Sequence, residues 1–473
     1  MTPHCRPPLL REVALVVALA GVIASAHPAA AGSPGQVMRV PGFGMVTTYL
    51  PQGTPQQVVL FLSGDGGWNL GVVSMAERLR DEGALVIGID VRAFTTNLEA
   101  SKTCGYPAGA LEELSRAVQA HLNLPAYLRP IVVGYSSGAS LVYATIAAAA
   151  PPETFAGGLS LGFCPDLEVR TPFCHMRGLR TTKKAKGVGY DMAPYAGSTV
   201  PWMVLHGEQD QVCAPAQTRG FVASTGNATL VALPKVGHGF GVTANWEPQY
   251  VQSYREIVRA TSAMSVPVAA APQVADLELA EVPATAPGVT DTMAVILTGD
   301  GGWAELDKAV AANLAARGIP VVGWSSLTYY WTPRTPERAS ADLARIVSHY
   351  TAAWHRPRVV VIGYSFGADV APFLVNRLPD DVRSHVSRLG LLAPSASAAF
   401  EFHVAGWTGA EFGEHLPTHP EIERLMVSTV CVTPQDEPAA SCIAVNPQVR
   451  AVSASPGHHF GGEYGRLVES ILK

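Results

Sequence analysis

The sequence contains two motifs that each occur twice, in the same order. The first, GDGGW, ends an apolar run at residues 64–68 and again at residues 299–303. The second, G-x-S-x-G, follows a β-branched run at residues 134–138 and again at residues 363–367. Runs typical of buried strands alternate with helical patterns around both motifs, which predicts βαβ units and a parallel sheet. Because solenoid repeats span only about 20–50 residues, a repeat of this length indicates two duplicated α/β domains.

The chain of 473 residues has room for two such domains and a leader. Residues 1–31 combine basic residues, a short apolar run and an A-x-A site, which is typical of a cleaved signal peptide. We expect the first domain at residues 32–261 and the second at residues 291–473. Residues 262–290 are rich in Pro and Ala, and we predict that they form a linker.

The composition excludes several classes of protein. Hydrophobic residues make up 48% of the chain and charged residues 15%, which is too apolar for a disordered protein. A formal net charge of −5 provides no basic surface for nucleic acid, so no nucleic-acid partner is expected. No cysteine pair has the C-x-x-C spacing of a zinc ribbon, and neither a metal site nor a cofactor is predicted.

The serine of a G-x-S-x-G turn lies at a sharp bend between strand and helix, where its hydroxyl is exposed at the edge of the sheet. That hydroxyl is a poor nucleophile without a base, and α/β-hydrolases supply the partners in the order Ser, Asp or Glu, His. In the second domain this order predicts Ser365 as nucleophile, Asp436 as acid and His458 as base. Glu437 and His459 are adjacent alternatives. The predicted fold class is therefore two tandem α/β-hydrolase-like domains, each with a mostly parallel sheet flanked by helices.

The first domain repeats this order, with Ser136, Asp210 and His238 as a candidate second triad. In both domains the GDGGW turn follows the strand that usually contributes to the oxyanion hole, and the residue after the nucleophile supplies another donor. The predicted oxyanion hole of the second domain consists of the main-chain N–H groups of Gly299, Asp300, Gly301 and Phe366.

The second half of the chain resembles the AcvB/VirJ bacterial virulence protein family. The resemblance is carried by LTGDGGW at residues 297–303, GYSFGADVAPF at residues 363–373 and GHHFGGEY at residues 457–464, with Cys431 and Cys442 around the acid. The leader and the extra first half make the whole chain similar to the two-domain, AcvB-like members of that family.

The resemblance implies a periplasmic α/β-hydrolase linked to lysyl-phosphatidylglycerol hydrolysis, acid tolerance and virulence. It also implies a phospholipid substrate at the membrane surface, with secretion-system or other periplasmic proteins as candidate partners. Because the second domain carries the fuller motif, we expect it to be the catalytic one, using Ser-His-Asp acyl transfer. The alternatives are a non-catalytic periplasmic scaffold that supports secretion, and an esterase or thioesterase with another acyl substrate.

Export would remove Cys5 and leave an even number of cysteines, which fits an oxidising compartment. The cysteines expected in disulfides are Cys431 with Cys442 and, in the first half, Cys104, Cys164, Cys174 and Cys213. Proximity along the chain favours Cys164 with Cys174, which leaves the other two to pair. Four cysteines allow three pairings, so the pairing in the first half stays open.

Several acidic residues follow the predicted oxyanion turn and the predicted nucleophile in the second domain. They are Asp300, Glu305, Asp307 and Asp369. A lysyl ester carries cationic amines, so carboxylates near the site would favour its binding. The alternative is that these residues belong to ordinary solvated helix faces.

Overall fold

The computed structural model describes residues 35–100, 104–150, 152–174, 176–264, 273–286, 291–402, 415–437, 442 and 446–473. The predicted signal peptide at residues 1–31 lies outside these ranges, as do parts of the predicted linker. In the part of the chain that the structure describes, no helix is both long enough and apolar enough to cross a bilayer.

The first domain alternates strands and helices along the chain. Its strands are β1 (Gln36–Val40), β2 (Gly44–Tyr49), β3 (Gln57–Leu62), β4 (Ala84–Ile89), β5 (Ile131–Tyr135), β6 (Gly157–Leu161), β7 (Asp166–Leu167), β8 (Thr181–Lys183), β9 (Tyr190–Met192), β10 (Trp202–Gly207) and β11 (Ala228–Leu233). Its helices are α1 (Leu70–Asp81), α2 (Val91–Glu99), α3 (Pro107–His121), α4 (Ser137–Ala148), α5 (Pro215–Ala223) and α6 (Glu247–Met264).

The second domain repeats this alternation. Its strands are β12 (Leu279–Val282), β13 (Thr292–Leu297), β14 (Val321–Trp324), β15 (Arg358–Tyr364), β16 (Val386–Leu392), β17 (Ser397–Ala398), β18 (Leu416–Pro417), β19 (Thr429–Pro434) and β20 (Val449–Ala454). Its helices are α7 (Glu305–Ala315), α8 (Ser326–Tyr329), α9 (Pro336–Trp354), α10 (Phe366–Asn376), α11 (Asp380–Arg383), α12 (His419–Glu423) and α13 (Tyr464–Leu472).

The main sheets of the two domains share the same order of parallel strands, and the first has one further antiparallel edge strand, β1. The strand order is β1-β2-β4-β3-β5-β6-β10-β11 in the first domain and β12-β14-β13-β15-β16-β19-β20 in the second. From β4 to β11, and from β14 to β20, neighbouring strands are parallel. Antiparallel strands extend one edge of each sheet. The predicted class, two mostly parallel sheets flanked by helices, is therefore confirmed.

Both sheets are buried on their two faces. The central strands β3 and β13 read QVVLFL and TMAVIL, and all but the first residue of each is buried. Such continuous apolar strands require helices on both faces, and each sheet accordingly separates two clusters of buried apolar side chains. Fully burying one Val, Leu, Ile or Phe side chain stabilises a fold by about 1.5–3 kcal/mol. These cores hold the carboxyl ends of the strands, where the motifs lie.

The predicted linker contains part of the second domain. Strand β12, within residues 262–290, pairs antiparallel with β14, so that Leu279 lies opposite Trp324. Val274 and Leu277, which precede the strand, are buried in the core of the second domain. The second domain therefore begins well before the predicted boundary at residue 291.

The disulfides in the first half differ from the pairing that proximity along the chain favours. Cys104 is bonded to Cys174, and Cys164 is bonded to Cys213. The first pair meets because Gly105 and Phe173 form a β-bridge between distant segments. The second pair meets because the two cysteines follow β6 and β10, which are neighbours in the sheet. In the second domain Cys431 is bonded to Cys442.

Candidate active sites

Both G-x-S-x-G motifs form sharp turns between a strand and a helix. Ser136 joins β5 to α4 with φ 56° and ψ −121°, and Ser365 joins β15 to α10 with φ 50° and ψ −118°. A non-glycine residue rarely adopts a positive φ, and such strain concentrates at functional sites. The turn needs glycine on either side: a Cβ on Gly363 would lie 2.3 Å from the main-chain oxygen of Gly367, and a Cβ on Gly367 would lie 2.2 Å from that of Leu297.

The three residues of the first candidate triad lie together in a line of hydrogen bonds. Ser136 Oγ is 2.9 Å from His238 Nε2, and His238 Nδ1 is 2.8 Å from Asp210 Oδ2. The other carboxylate oxygen of Asp210 accepts main-chain N–H groups from Val212 and Cys213, at 2.8 and 2.9 Å. The acid is thus fixed by three hydrogen bonds.

The environment of Asp210 keeps this acid ionised. Its side chain is fully buried, and burial alone would raise the pKa. Hydrogen bonds from the main chain and from His238 outweigh that effect, and the pKa of Asp210 is lowered. An ionised acid behind the imidazole holds the tautomer in which Nε2 can accept the serine proton, and it stabilises the imidazolium that forms.

The second site brings Ser365 and His458 together in the same way. Ser365 Oγ lies 2.9 Å from His458 Nε2. His459, the alternative base, instead has its Nδ1 3.3 Å from the hydroxyl of Tyr364, and burial together with neighbouring His458 lowers its pKa. The imidazole that touches the nucleophile is therefore that of His458.

The acid that contacts His458 is Glu437, not the predicted Asp436. The two carboxylate oxygens of Glu437 lie 3.0 and 3.1 Å from His458 Nδ1. Asp436 instead accepts the main-chain N–H of Gly457 at 2.6 Å, which holds the histidine turn. Strand β19 runs on to Pro434, and the longer side chain one position further along the chain reaches the imidazole. The sequence identified Glu437 only as an alternative to Asp436, because the two carboxylates are adjacent.

The GDGGW turns lie directly against the nucleophiles. A Cβ on Gly299 would lie 3.6 Å from Ser365 Cβ, and one on Gly64 would lie 3.2 Å from Ser136 Cβ. Phe366 is the first residue of α10, so its N–H adjoins the nucleophile. By contrast, a Cβ on Gly301 would have Ala304 and Arg116 as its nearest contacts. No atom of Ser365 lies within 4 Å of that Cβ position, so Gly301 does not pack against the nucleophile as Gly299 does.

The tryptophan of each GDGGW turn anchors the turn to the sheet. A Cβ on Gly88 in β4 would lie only 2.1 Å from the Trp68 ring, and one on Gly323 in β14 only 2.3 Å from the Trp303 ring. Trp68 also donates its indole N–H to the hydroxyl of Tyr49, at 3.1 Å. The bare glycine in the neighbouring strand therefore provides the space that the tryptophan occupies, which the motif alone did not indicate.

Of the four acids predicted near the second site, Asp307 is buried, Asp369 is partly buried, and the other two are exposed. Burial raises the pKa of Asp307 to about 8, and this side chain accepts the N–H of Ala304 at the start of α7. Burial also raises the pKa of Asp369 to about 7, although a hydrogen bond from Ser395 and the nearby His458 oppose the rise. The side chain of Asp300 is 65% exposed, and Glu305 is exposed.

Within the described ranges, one group of three metal-ligating side chains has its ligand atoms close together. It comprises Asp210, Cys213 and His238. Cys213 is already bonded to Cys164, and the other two belong to the triad. The donor set is therefore that of a serine hydrolase rather than that of a metal centre.

In each domain, the serine of the G-x-S-x-G turn is hydrogen-bonded to a histidine, and that histidine is hydrogen-bonded to an acid. The two sets define a serine hydrolase of the α/β-hydrolase type with two candidate sites. The chain belongs to the family described as "Bacterial virulence protein (VirJ)", whose sequence profile matches residues 56–155 and 291–473. The match in the first domain includes Ser136 and ends before Asp210 and His238.

Several solved structures each match about half of this chain. Est1E from Butyrivibrio proteoclasticus covers 49% of it and 100% of its own chain, at 15% identity and a TM-score of 0.32. Esterase 2 from Thermogutta terrifontis covers 50% and 95%, at 14% identity and a TM-score of 0.33. An alpha-beta serine hydrolase homologue from Coxiella burnetii covers 48% and 96%, at 17% identity and a TM-score of 0.29. A comparison with curated protein sequences finds no match.

Proposed function

We propose that the second domain is a periplasmic ester hydrolase that cleaves lysyl-phosphatidylglycerol. The single observation that carries the proposal is His458, whose two ring nitrogens contact Ser365 Oγ at 2.9 Å and the Glu437 carboxylate at 3.0 Å. This geometry is that of a general base between a nucleophile and an acid.

The reaction proceeds by acyl transfer. His458 Nε2 accepts the hydroxyl proton of Ser365 as the oxygen attacks the lysyl carbonyl, and main-chain N–H groups of the GDGGW turn and Phe366 stabilise the oxyanion. His458 then donates the proton to the departing glycerol oxygen, which releases phosphatidylglycerol. Water, deprotonated by His458, hydrolyses the lysyl-Ser365 ester and releases lysine.

A cationic acyl group is favoured by the charges around Ser365. Asp369 lies one helical turn after the nucleophile in α10. Asp300 lies in the turn beside the nucleophile, where Arg116 Nη1, 4.0 Å from its carboxylate, offsets part of its charge. Above pH 7 the ionised Asp369 adds negative charge to the site, because its pKa is about 7. Opposite charges attract more strongly where burial excludes water, so a lysyl ammonium gains more from the partly buried Asp369 than a neutral acyl group does.

Export to an oxidising compartment is supported by three disulfides, two that cross-link the first domain and one that cross-links the second. The lipid headgroup is accessible to such a protein at the membrane surface.

The test uses the purified full chain and vesicles that contain lysyl-phosphatidylglycerol, with released lysine as the readout. Ser365→Ala is expected to lower the rate by about 10³-fold or more. The matched control is Ser136→Ala, the same change in the same motif of the first domain, which is expected to leave lysine release within about 2-fold. Loss of lysine release with Ser136→Ala and its survival with Ser365→Ala would overturn the assignment.

A further inference from the structure

The candidate site of the first domain is the more enclosed of the two. The side chain of His238 is 17% exposed and that of Asp210 is fully buried, whereas His458 and Glu437 are 42% and 38% exposed. A buried, fully hydrogen-bonded acid needs no reorganisation when charge develops on the imidazole. A triad that had lost its function would not need so enclosed and so completely hydrogen-bonded an acid.

A cavity of about 240 Å³ opens beside Ser136. Its inner wall is apolar and consists of Leu141 from α4, Leu167 from β7 and Val169, which are all buried. The disulfide between Cys164 and Cys213 closes one side. A second cavity, of about 520 Å³, also adjoins Ser136 and is lined by Gly64, Gly239 and Trp246. Sites for drug-sized ligands enclose about 300–1,000 Å³, so we assign the smaller, apolar cavity to an acyl group of a few carbons.

The mouth of the cavity carries more negative than positive charge. Asp65, Asp166 and Glu168 line it together with Arg92. Arg92 is paired with Asp90, at 2.7 Å, and Lys184 is paired with Asp166. The remaining carboxylates oppose the approach of an anionic substrate such as a phospholipid phosphate. The mouth therefore favours an uncharged or cationic ester.

We propose that Ser136 is the nucleophile of a second hydrolytic site, which cleaves uncharged or cationic esters with short acyl groups. Ser136 Oγ attacks the acyl carbonyl, His238 transfers the proton to the leaving alcohol, and water then releases the short-chain acid. This proposal is independent of the lipid substrate assigned to Ser365.

The test uses the full chain with Ser365→Ala, so that hydrolysis by the second domain is removed. This variant is expected to hydrolyse p-nitrophenyl butyrate, and to hydrolyse p-nitrophenyl palmitate at least about 100-fold more slowly. Adding Ser136→Ala is expected to lower butyrate hydrolysis by about 10³-fold or more. Circular dichroism and the melting temperature establish that both variants are folded.

A second variant tests the cavity itself. Val212 lines the cavity and is 69% exposed, so Val212→Phe narrows the mouth without disturbing the core. We expect it to raise KM for the butyrate ester by about 10-fold while acetate hydrolysis changes little. Equal butyrate rates in the single and double serine variants would overturn the proposal, as would palmitate cleavage at Ser136 as fast as butyrate cleavage. Because lysine release is assayed at Ser365, failure here is distinguishable from failure of the lipid hydrolase proposal.

Discussion

Arg116, in the first domain, contacts Asp300, in the GDGGW turn of the second. Its Nη1 donates to the main-chain oxygen of Asp300 at 3.3 Å, and its Nη2 lies 2.6 Å from Glu112 Oε1. The side chain is only 15% exposed. Arg116 is thus held by an acid of its own helix while it contacts the turn that adjoins Ser365. The first domain therefore braces the predicted oxyanion turn of the second.

Removing this brace is expected to slow catalysis at Ser365. Arg116→Ala frees the turn, and because a misplacement of about 1 Å at a catalytic group can cost up to about 10²-fold, we expect kcat for lysine release to fall by about 10-fold with little change in KM. Arg116→Lys, which keeps a donor, is expected to recover part of the loss.

The matched control for Arg116 is Lys308→Ala. This change removes another interdomain ion pair, between Lys308 and Glu153 at 2.7 Å, and leaves the turn alone. We expect kcat within 2-fold of the unmodified protein. An equal loss in the two variants would show that docking of the domains, and not the turn, is what matters.

The contact between His458 and Glu437 predicts the effects of two neighbouring substitutions. Glu437→Gln keeps the shape but removes the charge that stabilises the imidazolium, so kcat for lysine release is expected to fall by about 10²–10⁴-fold. Asp436→Asn keeps an acceptor for the N–H of Gly457 and is expected to lower kcat by less than about 10-fold. The reverse order of the two effects would restore Asp436 as the acid.

Asp307 predicts a dependence of stability on pH. Its pKa is raised from 3.8 in the unfolded chain to about 8 in the folded one, so the folded state binds the extra proton between these values. Stability therefore falls as the pH rises from about 4 to about 8, by up to about 1.4 kcal/mol per pH unit. Asp307→Asn retains an oxygen acceptor for the N–H of Ala304 and removes this dependence of stability on pH.

The measurement for Asp307 is the melting temperature of the second domain, within the full chain, from pH 4 to pH 9. The advantage of Asp307→Asn over the unmodified protein should grow with rising pH and level off above about pH 8. A difference that is constant across this range would contradict the buried, protonated carboxyl.

The disulfide between Cys164 and Cys213 predicts a link between oxidation and the first site. The N–H of Cys213 donates a hydrogen bond to Asp210 at 2.9 Å. Breaking the disulfide therefore loosens the loop that holds this acid, here called the acid loop. Cys164→Ser with Cys213→Ser is expected to lower butyrate hydrolysis at Ser136 by about 10-fold, with lysine release at Ser365 unchanged.

The matched control for that disulfide is Cys104→Ser with Cys174→Ser. Neither residue lines the cavity beside Ser136, and loss of either disulfide typically destabilises a domain by about 2–5 kcal/mol. Both variants are therefore assayed well below their melting temperatures. Equal losses of butyrate hydrolysis would mean that stability, and not the acid loop, explains the effect.

The sequence was sufficient to predict features that depend on local geometry. The elbow glycines meet main-chain atoms so closely that no other residue fits, which is why the motif located Ser136 and Ser365 at strand ends. The duplicated motifs also predicted two domains, each with a mostly parallel sheet. Both predictions succeed because close backbone packing restricts which residue types can occupy these positions.

Features that depend on the path of an irregular segment could not be predicted. Asp436 and Glu437 are adjacent, and only the turn after β19 decides which carboxylate reaches His458. Likewise Cys104 lies far from Cys174 along the chain, and a β-bridge in the folded domain brings them together. Strand β12 was missed because four residues at a sheet edge give too short a pattern to read.

Peptide mapping by mass spectrometry, after reaction of the full chain with a serine-reactive fluorophosphonate, tests the central claim most directly. We predict a phosphonyl adduct on Ser365 and a separate adduct on Ser136, each abolished by substitution of that serine alone with alanine. A folded protein in which neither serine is labelled would contradict the existence of two activated nucleophiles.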